Sequence, residues 1–150
     1  MRIKKLKIFS SAVEQQYNFY CEKLSFNCIK KTVDSFTIQA GESLLEITST
    51  KEVFTSKYHF AFNVEPSLIR PALVFLKDRG IFLFENEQQQ LINFPDWNAK
   101  SIYFKDADGN ILEFIARYNL SGEKYNHPFS ITDVKNISEA GIAVDDTTAF

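Results

Sequence analysis

The chain carries its clearest structural signal in the sequence Phe104-Lys105-Asp106-Ala107-Asp108-Gly109-Asn110-Ile111-Leu112-Glu113-Phe114. Its middle, residues 106–110, combines aspartate, glycine and asparagine, which tight turns favour. The segments on either side, residues 100–104 and 111–115, are rich in the β-branched and aromatic residues typical of strands. This pattern predicts a β-hairpin.

The hairpin ends a larger unit that begins near residue 58. Residues 58–64 predict a strand, and a helix follows that starts between Ser67 and Pro71 and ends at Gly80. Gly80 stands where a left-handed helix cap favours glycine. Further strands continue to Ala116, so the unit has the order strand, helix and strands.

An earlier part of the chain predicts the same order. Residues 3–9 predict a strand, and Ser11 followed by Glu14 is a capping-box signal for a helix that runs to about Leu24. Short strands then follow at residues 26–31, 35–40 and 43–48. The helix end at residues 23–26 also matches that at residues 78–81, which indicates an internal repeat. The two units, residues 1–50 and 57–117, predict an α+β domain whose single curved sheet surrounds a small-molecule pocket.

The end of the chain resembles a third start of the same unit. Residues 139–145 align with residues 59–65, and the preceding residues 118–136 are polar enough for a linker. One interpretation is a truncated or vestigial third module at residues 137–150, which would make the chain a structural half of a larger protein. The other is a C-terminal strand docked on the domain.

Composition and charge exclude several classes of function. A net charge of -2 and a pI near 5.7 give no general attraction to phosphate backbones or anionic lipid. No apolar run approaches the ~20 residues that span a bilayer, and no signal peptide is recognisable, so a cytoplasmic location is predicted.

The spacing of Cys21 and Cys28 suits neither a redox pair nor a zinc knuckle and predicts two buried free thiols.

Strand alternation separates the side chains that face the helices from those that face away. In residues 58–64, Phe60 and Phe62 lie on the face that packs under helices, and His59 lies on the other. The same division applied to four corresponding strands places one ionisable residue of each on the face away from the helices: Lys5, Glu46, His59 and Glu113. These four residues are the candidates for a site.

Three motifs together resemble the vicinal oxygen chelate superfamily, which includes glyoxalases, bleomycin-resistance proteins, fosfomycin-resistance enzymes and extradiol dioxygenases. The motifs are Phe19-Tyr20 followed by Leu24-Ser25-Phe26, then His59-x-x-Phe62-x-Val64, and finally the turn that leads into Glu113. The resemblance covers residues 1–117. It implies a fold of paired βαβββ modules that form a cupped mixed sheet. It also implies that the protein binds a small-molecule ligand and forms a homodimer.

The resemblance also implies a set of site residues. In this superfamily His, Gln or Glu from the first and last strands of the modules commonly hold a divalent metal. Carried over, His59 and Glu113 are the ligands of the second module, and Glu46 stands where glyoxalase-type members place the carboxylate that closes the first. Lys5 departs from the pattern, because a protonated lysine cannot donate to a metal and repels one nearby.

Two interpretations of the site follow. In one, Glu46, His59 and Glu113 hold zinc, iron, manganese or nickel, and the protein is a lyase, isomerase or dioxygenase in which Glu46 moves a proton. In the other, Lys5 replaces the metal as the positive charge, and a metal-free cup binds a small aromatic or anionic molecule. The second is favoured. The predicted pocket residues are Lys5, Lys7, Phe9, Asn63 and Ile111.

Overall fold

The computed structural model describes residues 3–52, 57–120 and 122–142. The elements of the first module are β1 (Lys5–Ser10), α1 (Val13–Tyr17), β2 (Asn27–Lys31), β3 (Ser35–Ala40) and β4 (Ser43–Ser49). Those of the second are β5 (Tyr58–Asn63), α2 (Ile69–Asp78), β6 (Ile92–Phe94), β7 (Ala99–Lys105) and β8 (Ile111–Arg117). A last strand, β9 (Asn136–Ile142), follows. The predicted repeat of two βαβββ units is therefore confirmed.

Both modules share one strand arrangement. The first strand of each pairs in parallel with its last, β1 with β4 and β5 with β8, and the other pairs are antiparallel. The sheet orders are β1-β4-β3-β2 and β6-β7-β8-β5-β9. The sheet is thus divided in two, and not continuous as predicted, because β8 and β9 occupy both edges of β5. A bridge between Ile3 and Ile137 links β9 to the start of the first module.

The first helix is less regular than predicted. The residue before α1 is Ala12, which makes no side-chain cap, and Ser10 Oγ accepts a hydrogen bond of 2.9 Å from its N–H instead. The predicted capping box of Ser11 and Glu14 is therefore wrong, because β1 extends to Ser10 and presents that hydroxyl first. The helix continues as π-helical turns over Asn18–Lys23.

The two helix ends adopt the same backbone conformation. Ser25 has φ of +67° and Gly80 has φ of +61°, both in the left-handed region that favours glycine. Because Ser25 and Gly80 occupy matching positions of the aligned helix ends, the internal repeat extends to this detail of the chain path.

The core lies between the sheets and the helices. The buried faces of the strands contribute Ile8, Leu45, Ile47, Phe60, Phe62, Leu112 and Phe114, and α2 adds Ile69, Ala72, Phe75 and Leu76. Phe26 of the first module packs on Phe62 of the second at 5.5 Å between ring centroids. Burying one such ring stabilises the fold by roughly 2 kcal/mol, so contacts of this kind hold the modules together.

A buried carboxylate in the hairpin turn also joins the modules. Asp106 accepts hydrogen bonds from the side chains of Gln16 and Tyr20 in the first module, each at 3.0 Å. It also accepts from the backbone N–H groups of Asp108 and Asn110 and from the Asn110 side chain. Burial raises the pKa of Asp106, and the hydrogen bonds oppose that shift.

The C-terminal segment packs against both modules. Phe129, Ile131 and Val134, within the polar segment predicted as a linker, are buried in the core. The following strand β9 runs antiparallel to β5 as its edge neighbour. It is docked on the domain, as in the second interpretation of this region. Residues 143–150 of the predicted third module lie outside the described residues.

Close backbone contacts fix this segment to the first module. The Glu42 N–H donates to the Lys135 carbonyl at 2.8 Å, and the Ile137 N–H donates to Ser43 Oγ at 2.9 Å. A side chain at Gly41 would place its Cβ 2.1 Å from the Lys135 oxygen. Only glycine therefore fits at this turn.

Two further predictions concern the chain as a whole. Cys21 and Cys28 are free thiols, although both are half-buried and not fully buried. None of the helices in the described ranges is long and apolar enough to cross a membrane.

Candidate functional site

The sheet face that points away from the helices is here called the open face. In the first module it carries one carboxylate, Glu46, between Lys5 and Lys7. Lys5 and Lys7 alternate along β1 with the core residue Ile8, so they point away from the helices. The parallel register sets Lys7 opposite Glu46 of β4. Lys5 Nζ lies 2.6 Å from Glu46 Oε2, and Lys7 Nζ lies 3.2 Å from Oε1. Thr48 donates a further hydrogen bond of 3.2 Å to Oε1.

These partners determine the protonation of Glu46. Hydrogen bonds from Lys5 and Lys7 lower its pKa from the ordinary 4.5 to about 2, against a smaller opposing effect of desolvation. A carboxylate with so low a pKa is a weak base near neutral pH. Both of its oxygens already have an ammonium partner, so this arrangement does not favour Glu46 as a proton carrier.

The second module carries a more deeply buried carboxylate at the equivalent position. Glu113 of β8 is 3% exposed, and Ser101 Oγ of β7 donates to its Oε1 at 2.6 Å. His59 Nε2 of β5 lies 3.2 Å from Oε2, and the imidazole side chain is 39% exposed. The partly exposed imidazole of His59 is thus available to a ligand, whereas the carboxylate of Glu113 is fixed by the protein.

Tyr103 completes the surroundings of Glu113. It stands directly opposite Glu113 in the β7–β8 register, and its ring centroid lies 6.1 Å from that of His59. Burial, followed by the negative charge of Glu113, raises the pKa of Tyr103 to about 12. The phenol is therefore a hydrogen-bond donor at neutral pH.

Ser101 was not among the predicted site residues, and Tyr103 was not assigned to the site. The signal that could have found them is the hairpin itself. Alternation along residues 99–105 puts Ser101 and Tyr103 on one face, and the turn at Asp106 sets that face against Glu113.

The other predicted pocket residues lie at several places on the open face. Phe9 follows Lys7 on β1, with Lys7 Nζ 5.4 Å from its ring centroid. Ile111 is the register partner of His59. Asn63 lies at the far end of β5, where its amide donates to Asn136 at 2.9 Å.

The three predicted metal ligands form one contacting pair and one separate residue, and not one cluster. Glu46 is held by lysines, whereas His59 and Glu113 contact each other. No group of three or more His, Cys, Asp or Glu side chains that could hold a metal occurs within the described ranges. His59 and Glu113 supply two donors, fewer than the three protein ligands of catalytic zinc sites. Within the described residues, the donor set therefore does not fit a tightly held divalent ion.

Comparisons with known proteins bear on the fold. No protein-family model matches the sequence, and no curated protein matches it. Among solved structures, an integron cassette protein from the mobile metagenome of the Halifax Harbour sewage outfall is 25% identical, with a TM-score of 0.65 over 76% of this chain and 97% of that one.

Two further structures carry the name of a protein family or of an enzyme. A glyoxalase/bleomycin resistance protein/dioxygenase from Nocardioides is 20% identical, with a TM-score of 0.63 over 85% of this chain and 89% of that one. Lactoylglutathione lyase from Agrobacterium tumefaciens is 13% identical, with a TM-score of 0.64 over 76% of this chain and 92% of that one. The chain thus has the glyoxalase/bleomycin-resistance/dioxygenase fold, which confirms the resemblance to the vicinal oxygen chelate superfamily at the level of the fold.

Proposed function

We propose that this protein binds a small anionic or aromatic molecule on the open face of its modules and does so without a metal ion. The observation that carries the proposal is the position of the Lys5 ammonium, 2.6 Å from Glu46. A lysine there supplies the positive charge that a metal would bring. Because the Lys5 ammonium already occupies the carboxylate, a divalent ion would have to displace it to bind there, so the lysine and the ion compete for Glu46.

The chemistry of the open face indicates the class of ligand. The Lys5 and Lys7 side chains are 54% and 46% exposed, so each can turn an N–H toward an anionic group while staying near Glu46. Phe9, which is also partly exposed, offers an aromatic surface beside Lys7. A carboxylate attached to a ring satisfies both features.

The direct test is a binding screen with simple aromatic carboxylates. Benzoate, salicylate and phenylacetate are titrated into the full chain while amide chemical shifts are followed by NMR. We expect saturable shifts at β1 that are lost when Lys5→Met and Lys7→Met are combined. Lys30→Met, at an exposed position of β2, is the matched control and should bind as the parent does. No saturable shift with any of the three acids would refute the proposal.

A second measurement tests the metal-free part of the proposal. Protein purified without a histidine tag is incubated with zinc, iron, manganese or nickel, desalted and analysed for metal beside His59→Ala. We expect well under one ion per chain, and we expect Lys5→His to raise metal affinity. One ion per chain that is lost in His59→Ala would instead support a metal-dependent lyase, isomerase or dioxygenase that uses Glu46, His59 and Glu113.

A further inference from the structure

A separate cavity of about 580 Å³ lies where the C-terminal segment meets the second module. Its walls come from the ends of β5 and β8, the turn that follows β5, the Gly41–Glu42 turn and residues 132–136. The C-terminal segment lies outside residues 1–117, the part of the chain that resembles the superfamily. The walls of the cavity therefore combine residues of both modules with residues of the C-terminal segment.

The cavity wall contains a buried carboxylate with one unused oxygen. Glu65 is 3% exposed, and its Oε1 forms an ion pair with the Lys135 ammonium. Its Oε2 is fully buried and has no hydrogen-bond partner among the residues that the structure describes. A buried carboxylate oxygen without a donor is costly. A small rotation of the Glu65 carboxylate would present this oxygen to a donor brought by a molecule in the cavity.

The other charged residues of the cavity wall favour a cation as the donor to Glu65. Three carboxylates line the cavity, those of Glu42, Glu65 and Asp133, against the two cations Arg117 and Lys135. Both cations are engaged by the protein, and so is Asp133, which accepts a hydrogen bond of 2.7 Å from the Ser130 N–H. Lys135 pairs with Glu65, and Arg117 contacts Asn63, Ser138 and Glu139. The formal charges of these five lining residues still sum to one negative charge, so a positively charged donor fits the cavity better than a neutral one.

The wall also has an apolar part. Val64, Leu68, Leu120 and Val134 contribute aliphatic surface to the same cavity. We propose that the cavity binds a small organic amine whose ammonium group donates to Glu65 Oε2 while its hydrocarbon part packs on these side chains. The site uses none of the residues Lys5, Lys7 and Glu46 that carry the proposed function, so either proposal can fail alone.

The test compares amines with alcohols of the same shape. Hexylamine and benzylamine are titrated into the full chain at neutral pH beside hexan-1-ol and benzyl alcohol, with NMR detection of the Val64, Leu68 and Val134 amides. We expect saturable shifts with the amines and at least tenfold weaker binding of the alcohols. No saturable shift with the amines overturns the proposal, because the cavity then holds only water. Alcohols that bind as tightly as amines overturn it too, because the charge of the ligand then has no role.

Two variants assign the binding to Glu65. Glu65→Gln keeps the size of the side chain but removes the charge, and we expect it to weaken amine binding at least tenfold. Glu22→Gln, at an exposed position that does not line the cavity, is the matched control and should bind amines as the parent does. Lys135→Met removes the cation that competes for Glu65, and we expect it to bind amines more tightly. Unchanged affinity in both Glu65→Gln and Lys135→Met would place the amine elsewhere and refute the proposal.

Discussion

The two modules present the same carboxylate in opposite environments. Glu46 and Glu113 stand at equivalent positions of the last strands, two residues beyond the register partners of Lys5 and His59. The side chain of Glu46 is 21% exposed and is held by two flexible lysines. Glu113 is almost fully buried and is held by a histidine and a serine hydroxyl.

The residue directly across the sheet accounts for the difference. Lys7 faces Glu46, whereas Ala61 faces Glu113. A lysine brings its own charge to the carboxylate, but an alanine brings no polar group. Glu113 therefore depends on Ser101 and Tyr103 of the strand on its other side and on His59. A repeated backbone thus preserves the position of a candidate site residue, while one cross-strand neighbour changes its chemistry.

The largest effect that we expect comes from the turn glycines of the modules. Gly41 and Gly80 both have positive φ, but only Gly41 faces a backbone atom closer than 3 Å. We predict that Gly41→Ala lowers the free energy of unfolding by about 4 kcal/mol, through backbone strain and displacement of the C-terminal segment. Gly80→Ala, with open space around it, should cost about 1 kcal/mol. Equal losses in urea denaturation would contradict this difference between the modules.

The hydrogen bonds that join the modules should contribute almost as much. Asp106→Asn places an amide N–H among the donors of Gln16, Tyr20 and Asn110, so we predict a loss of about 3 kcal/mol in the free energy of unfolding. Asp108→Asn keeps the backbone hydrogen bonds of that turn residue and serves as the control. A loss below 1 kcal/mol for Asp106→Asn would show that the modules do not depend on this connection.

The two open-face carboxylates should differ in their contributions to stability. Glu113→Ala leaves the buried Ser101 hydroxyl without its acceptor, and we expect a loss of about 2 kcal/mol. Glu46→Ala removes a partly exposed ion pair and should cost only about 0.5 kcal/mol. In the Glu113→Ala background, Ser101→Ala should cost almost nothing more, because its partner is already gone. Additive losses measured by urea denaturation would argue against this pairing.

The charge state of Glu46 gives a smaller, pH-dependent effect. Its pKa of about 2 in the folded protein lies below the ordinary 4.5, so its ion pairs contribute fully to stability above about pH 4.5. That contribution is lost as the pH falls toward 2. An NMR titration of the Glu46 side chain should give the low pKa directly. Combining Lys5→Met with Lys7→Met should return the pKa toward 4.5, and an unchanged value would remove the lysines as its cause.

The smallest predicted effect tests the repeat itself. Ser25 holds the left-handed conformation that Gly80 holds in the second module, and its side chain is exposed. Ser25→Gly should therefore raise the free energy of unfolding by about 0.5 kcal/mol, because glycine adopts positive φ without a steric penalty. A change of the opposite sign in thermal denaturation would mean that the serine side chain stabilises this helix end.

Much of the fold was predictable because its signals are local. The hairpin at residues 106–110, the helix end at Gly80 and the alternation in β5 each depend on neighbouring residues, and all three are present in the structure. The capping box predicted at Ser11 is absent, and its absence could not be predicted, since the start of the helix depends on how far β1 continues along β4.

The site was predictable only in part. Alternation placed Glu46, His59 and Glu113 on the open face, but it could not say which of them would meet. Lys7 lies opposite Glu46 because of a parallel register that no local pattern encodes. The cavity at Glu65 was missed altogether, since its partner Lys135 is distant in sequence and comes from a segment predicted as a linker.

Local sequence is sufficient to predict the repeated module, the turns between its strands and the face on which each candidate residue lies. These properties follow from backbone preferences and side-chain periodicity within a few residues. The tertiary structure was needed to show that Lys5 and Lys7 pair with Glu46, that His59 meets Glu113 and that β9 docks beside β5. Each of these contacts joins residues far apart in the chain, and it forms because burial leaves a charged or hydrogen-bonding group that must find its partner there.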